Sequence, residues 1–192
     1  MPDLPPGSSA ALSGEEGRFA LEALAERCRA WREEGRRVVH CHGCFDLLHV
    51  GHVRYLRAAR SHGDRLVVTV TPDHLVGKGP GRPVFPAAQR AELLAALAGV
   101  DGVAINRWAT AEPTLGLLRP AVYAKGAEYA HDADDPDSPV GRERAAARAH
   151  GGELVLIPGQ KFSSTAFLHQ LSAAPPPGGG TPPAAAPDTP RR

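Results

Sequence analysis

Residues 40–52 read HCHGCFDLLHVGH. They connect a segment with the residue pattern of a strand to a segment with the residue pattern of a helix. The β-rich run over residues 38–42 predicts a short strand, and the apolar positions over residues 50–61 predict an amphipathic helix. Gly43 permits a tight turn that brings the backbone close to a ligand. A helix start offers unpaired N–H groups and the positive end of a dipole, which suit phosphate. The segment therefore predicts a phosphate-binding turn at the carboxyl end of a strand.

Two histidines stand at the start of the predicted helix. His49 and His52 are three residues apart, so their side chains share one face of that start. Gly51, between them, removes a side chain that would block a ligand. Histidines in turns are commonly only solvated or hydrogen-bonded, which is the alternative to a binding role. The imidazoles, the backbone N–H groups and the helix terminus together favour a cradle for a polyphosphate.

Cysteines in the same segment raise two other hypotheses. Cys41 and Cys44 have the spacing of a redox pair, and with the two histidines they form a Cys-x-x-Cys, His-x-x-His set. The four residues between the pairs are far fewer than the roughly 12–15 of a zinc finger. The favoured interpretation of Cys41 is a small residue within or beside the strand end.

Helical and strand patterns alternate on both sides of this segment. Near-continuous apolar runs such as residues 65–71 are typical of a parallel sheet covered on both faces. The alternation predicts an α/β fold with an open, doubly wound, Rossmann-like parallel sheet, whose ligands bind at the carboxyl ends of the strands. The predicted helices cover residues 15–34, 50–61, 86–97, 110–118, 141–150 and 163–171. The predicted strands cover residues 38–42, 65–71, 102–105, 121–124 and 153–157.

The two ends of the chain differ in composition from the rest. Residues 1–13 and 173–192 are rich in Pro, Gly and Ala or Ser, and a segment of this kind buries too little apolar surface to offset its chain entropy. We expect disordered tails there and a single domain over residues 14–172. A chain of 192 residues is long enough for one such domain with its own core.

Composition excludes several classes of partner. The 22 Lys and Arg residues against 21 Asp and Glu give a net charge of +1, so no global field attracts nucleic acid or an anionic membrane. Aromatic residues make up 5%, too few for stacking platforms. No apolar run approaches the roughly 18 residues of a membrane span, and no signal peptide is visible. Three cysteines form no disulfide framework, so the expected compartment is the cytoplasm.

The residues from Gly43 to His52 resemble the signature of the cytidylyltransferase-like nucleotidyltransferases, whose His-x-Gly-His is shared with class I aminoacyl-tRNA synthetases. A synthetase is disfavoured because no residues remain for tRNA recognition. Further segments resemble the nucleotidyltransferase half of the bacterial bifunctional heptose kinase/adenylyltransferases, so that the resemblance covers residues 24–171. These segments are residues 78–84, 89–101, 118–126, 151–156 and 162–165.

The resemblance implies transfer of a nucleotidyl group from ATP or CTP to a sugar or polyol phosphate, with release of pyrophosphate. Because the acceptor phosphate is already largely anionic at neutral pH, the reaction needs cationic and N–H donors rather than a strong base. The implied catalytic residues are His49, His52 and Lys78. The implied nucleotide-binding residues are Gly43, Cys44, Phe45, Asp46, Gly51, Lys125, Gly126, Phe162, Ser163, Ser164 and Thr165, and the implied acceptor-binding residues are Arg82 and Arg90.

Some of these residues have a plainer interpretation. Asp46 either orients the turn or a metal-bound water, or caps the helix. Arg90 either binds a phosphate or is a solvated helix residue. The hydroxyls of residues 163–165 either hold the β- and γ-phosphates or cap the last helix. Pro158 stands where the glycerol-3-phosphate cytidylyltransferases usually have an arginine, which favours the heptose branch.

Mg²⁺ is implied by the triphosphate, whose oxygens would chiefly hold it, and no residue is assigned as its ligand. The acidic residues 132–137 fail as a calcium loop, because Pro136 takes the fifth ligand position and Asp137 replaces the glycine at the sixth; a solvated loop is expected. The leading hypothesis is adenylyl transfer to a heptose 1-phosphate, giving ADP-heptose, with the sugar kinase a separate chain. A homodimer is usual where this resemblance holds. The alternatives are a cytidylyltransferase for glycerol 3-phosphate or another small phosphate or phosphonate, and a catalytically silent nucleotide-binding regulator.

Overall fold

A computed structural model describes residues 19–159. Strands and helices alternate along this part of the chain, as the sequence predicts. The helices are α1 (Leu21–Glu33), α2 (Val50–Arg60), α3 (Ala87–Ala95), α4 (Glu112–Leu118) and α5 (Pro139–Ala149). The strands are β1 (Val38–Gly43), β2 (Arg65–Val70), β3 (Gly102–Ile105), β4 (Val122–Gly126) and β5 (Glu153–Ile157), and single 3-10 turns cover Asp73–Leu75 and Ala127–Tyr129.

The five strands form one parallel sheet in the order β3-β2-β1-β4-β5. Chain order reverses between β1 and β4, and the carboxyl ends of all five strands lie along one edge. The doubly wound, Rossmann-like α/β fold is therefore confirmed. In such sheets the crevice above the reversal point receives ligands. The predicted helix over residues 163–171 and the predicted tails lie outside the described residues.

Alternate residues of the central strands pack on opposite faces of the sheet. Val39 and Cys41 of β1 belong to a core cluster that includes residues of α2 and α3. Val38, the neighbouring residue, belongs to a cluster with Leu21 and Leu24 of α1. The strands are thus covered on both sides, which explains their near-continuous apolar sequence. None of the helices within residues 19–159 is long and apolar enough to cross a membrane.

Differences from the predicted bounds have local causes. α5 begins at Pro139, two residues earlier than predicted, because the Ser138 hydroxyl accepts a hydrogen bond from the Gly141 N–H at 2.9 Å and caps the helix. Proline at the first helical position needs no N–H partner, so it fits there. β4 extends to Gly126, which brings Lys125 into the sheet beside β5.

Candidate active site

The turn between β1 and α2 holds two non-glycine residues in the left-handed region. Phe45 has a φ of 50° and Leu47 a φ of 52°. Side chains other than glycine, asparagine and aspartate rarely adopt such angles, and each costs of order 1 kcal/mol or more. Gly43, just before them, approaches the Phe45 ring so closely that a Cβ would lie 3.3 Å from it. The surrounding contacts must hold this backbone in place, and strain of this kind concentrates at functional turns.

His49 and His52 cap the start of α2 with their own rings. The Nδ1 atom of His49 accepts from the Gly51 N–H at 3.1 Å, and Nδ1 of His52 accepts from the His49 N–H at 3.4 Å. The arrangement is a capping box in which two imidazoles replace the usual hydroxyl and carboxylate. The rings stack with their centroids 3.9 Å apart and an angle of 18° between their planes. The structure thus brings together the two histidines predicted to be catalytic.

The capping bonds decide which nitrogen carries the proton. Because each Nδ1 lone pair accepts a backbone N–H, the proton of each neutral ring lies on Nε2. Burial, and then the charge of Lys78, lowers the pKa of His49. Burial, and then His49 and Lys78, lowers the pKa of His52 to about 4. At neutral pH the pair is therefore uncharged and presents Nε2–H donors, with the Lys78 ammonium near enough to influence both rings.

Asp46 ties the histidine turn to the loop that carries Lys78 and Arg82. Its buried carboxylate accepts from Nε of Arg82 at 2.7 Å and from the backbone N–H groups of Val84 and Phe85 at 3.0 and 3.2 Å. The alternative that Asp46 caps the helix is wrong, because His49 is the N-cap residue. Arg82 has a side chain only 6% exposed and is paired with Asp46. Asp46 thus orients the turn, one of the roles its position predicted.

We expect Asp46→Asn to destabilise the protein by about 2 kcal/mol at pH 7, since hydrogen bonds to a charged group are lost and an amide NH₂ faces donors. Burial alone would raise the pKa of Asp46, but the Val84 N–H, Arg82 and the Phe85 N–H outweigh it and lower the pKa. A lowered folded-state pKa gives stability that is complete above the unfolded value of about 3.9 and is lost as pH falls through the folded value. The difference in unfolding free energy between the two proteins should therefore shrink below about pH 4.

Urea denaturation at pH 7, 5 and 3 measures this difference. Asp64→Asn is the matched control, because Asp64 is an exposed carboxylate that accepts from the Arg37 N–H at the other end of the sheet. A gap between wild type and Asp46→Asn that stays constant over this pH range would contradict the assigned contacts.

Arg90 lies inside the protein and not at its surface. The residue is fully buried, so the alternative of a solvated helix residue is wrong. Its Nε donates to the Phe85 carbonyl at 2.9 Å, Nη1 to the Cys44 carbonyl, and Nη2 to the Thr71 carbonyl at 2.8 Å and to Asp73 at 2.6 Å. These bonds correct the prediction that Arg90 contacts the acceptor, because a guanidinium committed to buried protein acceptors does not face a ligand. Arg90 instead anchors the strained turn at Cys44.

A cleft of about 230 Å³ opens beside this turn at the carboxyl ends of the strands. It lies next to the reversal point of the sheet, where the fold predicts ligand binding. Gly43, Cys44 and Lys125, all predicted nucleotide-binding residues, line it, whereas the described lining includes neither His49 nor His52. The other lining residues are His42, Thr71, Ala109, Thr110, Tyr129, Pro139, Val140 and Glu143.

Sequence reasoning missed Glu143 as a site residue. The sequence analysis assigns no role to this glutamate, whereas its carboxylate is buried and lies 3.3 Å from the Lys125 Nζ. A signal was present: Val140, Glu143 and Ala147 follow the spacing of one helix face, so a carboxylate stands on an otherwise apolar stripe. A Cβ on Gly126, beside Lys125, would lie 2.0 Å from the Glu128 carboxylate, so that exposed side chain would have to move.

The competing cysteine hypotheses find no support in the geometry. Cys41 is fully buried in the core, and burial raises the pKa of its thiol to about 12. Redox exchange and zinc ligation both need a thiolate, so the interpretation of Cys41 as a small strand residue is confirmed. The loop over residues 132–137 is largely exposed, as predicted. Phe162, Ser163, Ser164 and Thr165 lie outside the described residues, so their predicted contacts with the phosphates stay predictions.

Comparison with known proteins places this geometry in context. The family model described as Cytidylyltransferase-like matches residues 40–167. The bifunctional protein HldE of Streptomyces coelicolor is 48% identical over 169 residues, which are 85% of this chain and 34% of that protein. HldE of Methylobacillus flagellatus is 43% identical over 149 residues, 75% of this chain and 29% of that protein. The chain thus spans about a third of the length of the curated relatives it matches.

Solved structures agree on the fold. The lipopolysaccharide core biosynthesis protein from Thermoplasma volcanium is 25% identical, with a TM-score of 0.52, and the match covers 67% of this chain and all of that one. Pantoate-β-alanine ligase from Francisella tularensis is 13% identical, with a TM-score of 0.53 over 79% of this chain and 71% of that one, and so shares the fold alone.

Proposed function

The chain belongs to the cytidylyltransferase-like family of nucleotidyltransferases, and we propose that it transfers the adenylyl group of ATP to a heptose 1-phosphate, releasing pyrophosphate and ADP-heptose. A phosphate oxygen of the acceptor forms a bond to the α-phosphorus of ATP. The bond from that phosphorus to the bridging oxygen of the β-phosphate breaks, and pyrophosphate leaves with the electron pair. No proton has to be removed, because the acceptor phosphate has a second pKa of about 6 and is largely deprotonated at neutral pH.

The observation that carries this proposal is the pair of capping imidazoles. Each Nδ1 already accepts a backbone N–H, so neither ring of His49 and His52 offers that nitrogen as a base. What remains is N–H donation from Nε2 toward phosphate oxygens, on which charge develops as the α-phosphorus is attacked. Lys78 adds a positive charge beside the pair, and its loop is held by Asp46. The site is thus built for electrostatic stabilisation of a polyphosphate rather than for proton abstraction.

Mg²⁺ would enter with the nucleotide. Among residues 19–159 no group of three or more His, Cys, Asp or Glu side chains is placed to hold a metal ion. In this proposal the ion is carried by the triphosphate oxygens and water, as is common for this cation. When bound, Mg²⁺ neutralises charge on the phosphates. No residue described above is assigned to it.

The heptose acceptor is proposed from the relatives. The chain is 38–48% identical to proteins named HldE, and it resembles the nucleotidyltransferase half of the heptose kinase/adenylyltransferases. The neighbour from Thermoplasma volcanium bears the name of a lipopolysaccharide core biosynthesis protein. A kinase reaction on the same sugar would supply the acceptor phosphate.

Pyrophosphate release from four nucleoside triphosphates, each paired with a panel of sugar and polyol phosphates, tests the proposal. We expect ATP with D-glycero-D-manno-heptose 1-phosphate to give the fastest turnover. Preference for CTP with glycerol 3-phosphate would replace the proposal by a cytidylyltransferase. Tight nucleotide binding without turnover on any acceptor would indicate a regulator.

A further inference from the structure

The carboxylate of Glu143 is fixed by donors from two other parts of the fold. Its Oε1 accepts from the Ala111 N–H at 2.9 Å, at the start of α4, and its Oε2 accepts from the Tyr123 hydroxyl at 2.7 Å, in β4. The residue is 3% exposed. Since both oxygens are held by buried donors, the carboxylate is fixed in one position in the lining of the cleft.

The Lys125 ammonium is confined by the same group. Its Nζ lies 3.3 Å from Oε2 of Glu143 and 4.6 Å from the ring centroid of Tyr129, and the lysine side chain is 10% exposed. An ammonium over a tyrosine face is attracted by the ring, and burial strengthens both contacts. Lys125 is therefore held at the wall of the cleft and has little freedom to turn into solvent.

The ionisation state of Glu143 agrees with its pairing to the Lys125 ammonium. Burial alone would raise the pKa of its carboxyl group, but Lys125, the Ala111 N–H and the Tyr123 hydroxyl lower it instead. Glu143 is thus ionised at neutral pH and balances the buried ammonium. A buried cation without such a partner would carry a large desolvation cost.

We infer that Glu143 is a positioning residue that holds the Lys125 ammonium at the cleft, where it receives a phosphoryl group of a substrate. The inference rests on the proposed function, which supplies two phosphorylated substrates. The shared ligand chemistry is an anionic phosphoryl group, which comes either from the acceptor or from ATP. His49 and His52 stand at the start of α2 and are not among the described lining residues of the cleft, so the inferred phosphoryl position at Lys125 differs from theirs.

Calorimetric binding to four proteins tests this inference without requiring turnover. The proteins are wild type, Glu143→Gln, Lys125→Gln and the double variant, and the probes are mannose 1-phosphate and α,β-methylene-ATP. We expect Glu143→Gln to raise the Kd for one probe about tenfold and to leave the other within about threefold, where tenfold corresponds to about 1.4 kcal/mol. The probe whose binding weakens identifies the source of the phosphoryl group. If Glu143 acts through Lys125, the double variant binds no more weakly than Lys125→Gln.

The controls separate positioning from general damage. Glu153→Gln removes a glutamate that pairs with Arg37 at the opposite end of the sheet, and it should bind both probes as wild type does. Tyr123→Phe removes only the hydroxyl that orients Oε2, and it should weaken the same probe by about threefold even if Glu143→Gln folds poorly.

Three results would overturn the inference: wild-type affinity of Glu143→Gln for both probes, losses that add in the double variant, or no binding of either probe by the wild-type protein. Pyrophosphate release by wild type reports separately on the proposed function. If the wild-type protein released no pyrophosphate but the four proteins bound the probes as expected, the proposed reaction would be rejected. The positioning role of Glu143 would still be supported.

Discussion

His52→Ala is expected to lower the rate of pyrophosphate release by about 10²–10³-fold, the usual cost of removing one donor that stabilises transition-state charge. The fold should survive, because the variant loses one capping bond, with a typical contribution of about 1 kcal/mol, and the ring contacts with His49 and Phe45. Steady-state turnover and urea denaturation of the same preparation measure the two effects.

Two further variants separate the capping nitrogen from the donor nitrogen of His52. Asparagine places an acceptor where Nδ1 stands but has no donor at the Nε2 position, so His52→Asn should be stable and as slow as His52→Ala. Glutamine places an amide N–H near Nε2, so His52→Gln should recover part of the lost rate. His62→Ala, at an exposed histidine just beyond the end of α2, is the control. Near-normal turnover in His52→Ala or His52→Asn would reject the proposed donor.

Arg90→Met is expected to reduce the free energy of unfolding by about 3 kcal/mol, since buried carbonyls lose a charged donor. It should also slow turnover, because the Cys44 carbonyl that Arg90 holds immediately precedes the strained residue Phe45. Arg90→Lys should be impaired as well, since an ammonium cannot supply a planar fork to several acceptors at once.

Urea denaturation of Arg90→Met is compared with that of Arg57→Met, which removes an exposed arginine of α2 and should change stability by less than about 0.5 kcal/mol. If a variant of Arg90 kept wild-type stability and only raised the KM for the acceptor, the structural role would be rejected. The prediction that Arg90 contacts the acceptor would then be supported.

Structural features that depend on residues close together in the sequence were predicted well. The sheet, its parallel strands and the histidine pair follow from apolar period and local turn chemistry, and the bounds of β3 and β5 match those expected from the sequence. The errors at element ends arise where a single capping residue decides at which residue a helix begins, as Ser138 does for α5. Asp46 was weighed as a helix cap because aspartate is common there, yet a histidine takes that position.

Residues whose role depends on distant contacts were not predictable. The sequence predicts that Arg90 binds the acceptor or is solvated, because the backbone carbonyls that its guanidinium contacts, those of Cys44 and Thr71, lie 46 and 19 positions away. Glu143 similarly acquires its role from Ala111 and Tyr123, on two other elements. A charged residue on an apolar stripe signals such a contact but does not identify the partner.

The side chains of His49 and His52 cap the start of α2, and in the proposed function the same side chains donate to the phosphates. Their orientation is therefore settled when the helix forms, before any nucleotide arrives. Fixing a flexible side chain on binding commonly costs about 0.5–1.5 kcal/mol. Because the capping bonds fix both rings during folding, a nucleotide bound as we propose would meet His49 and His52 already oriented.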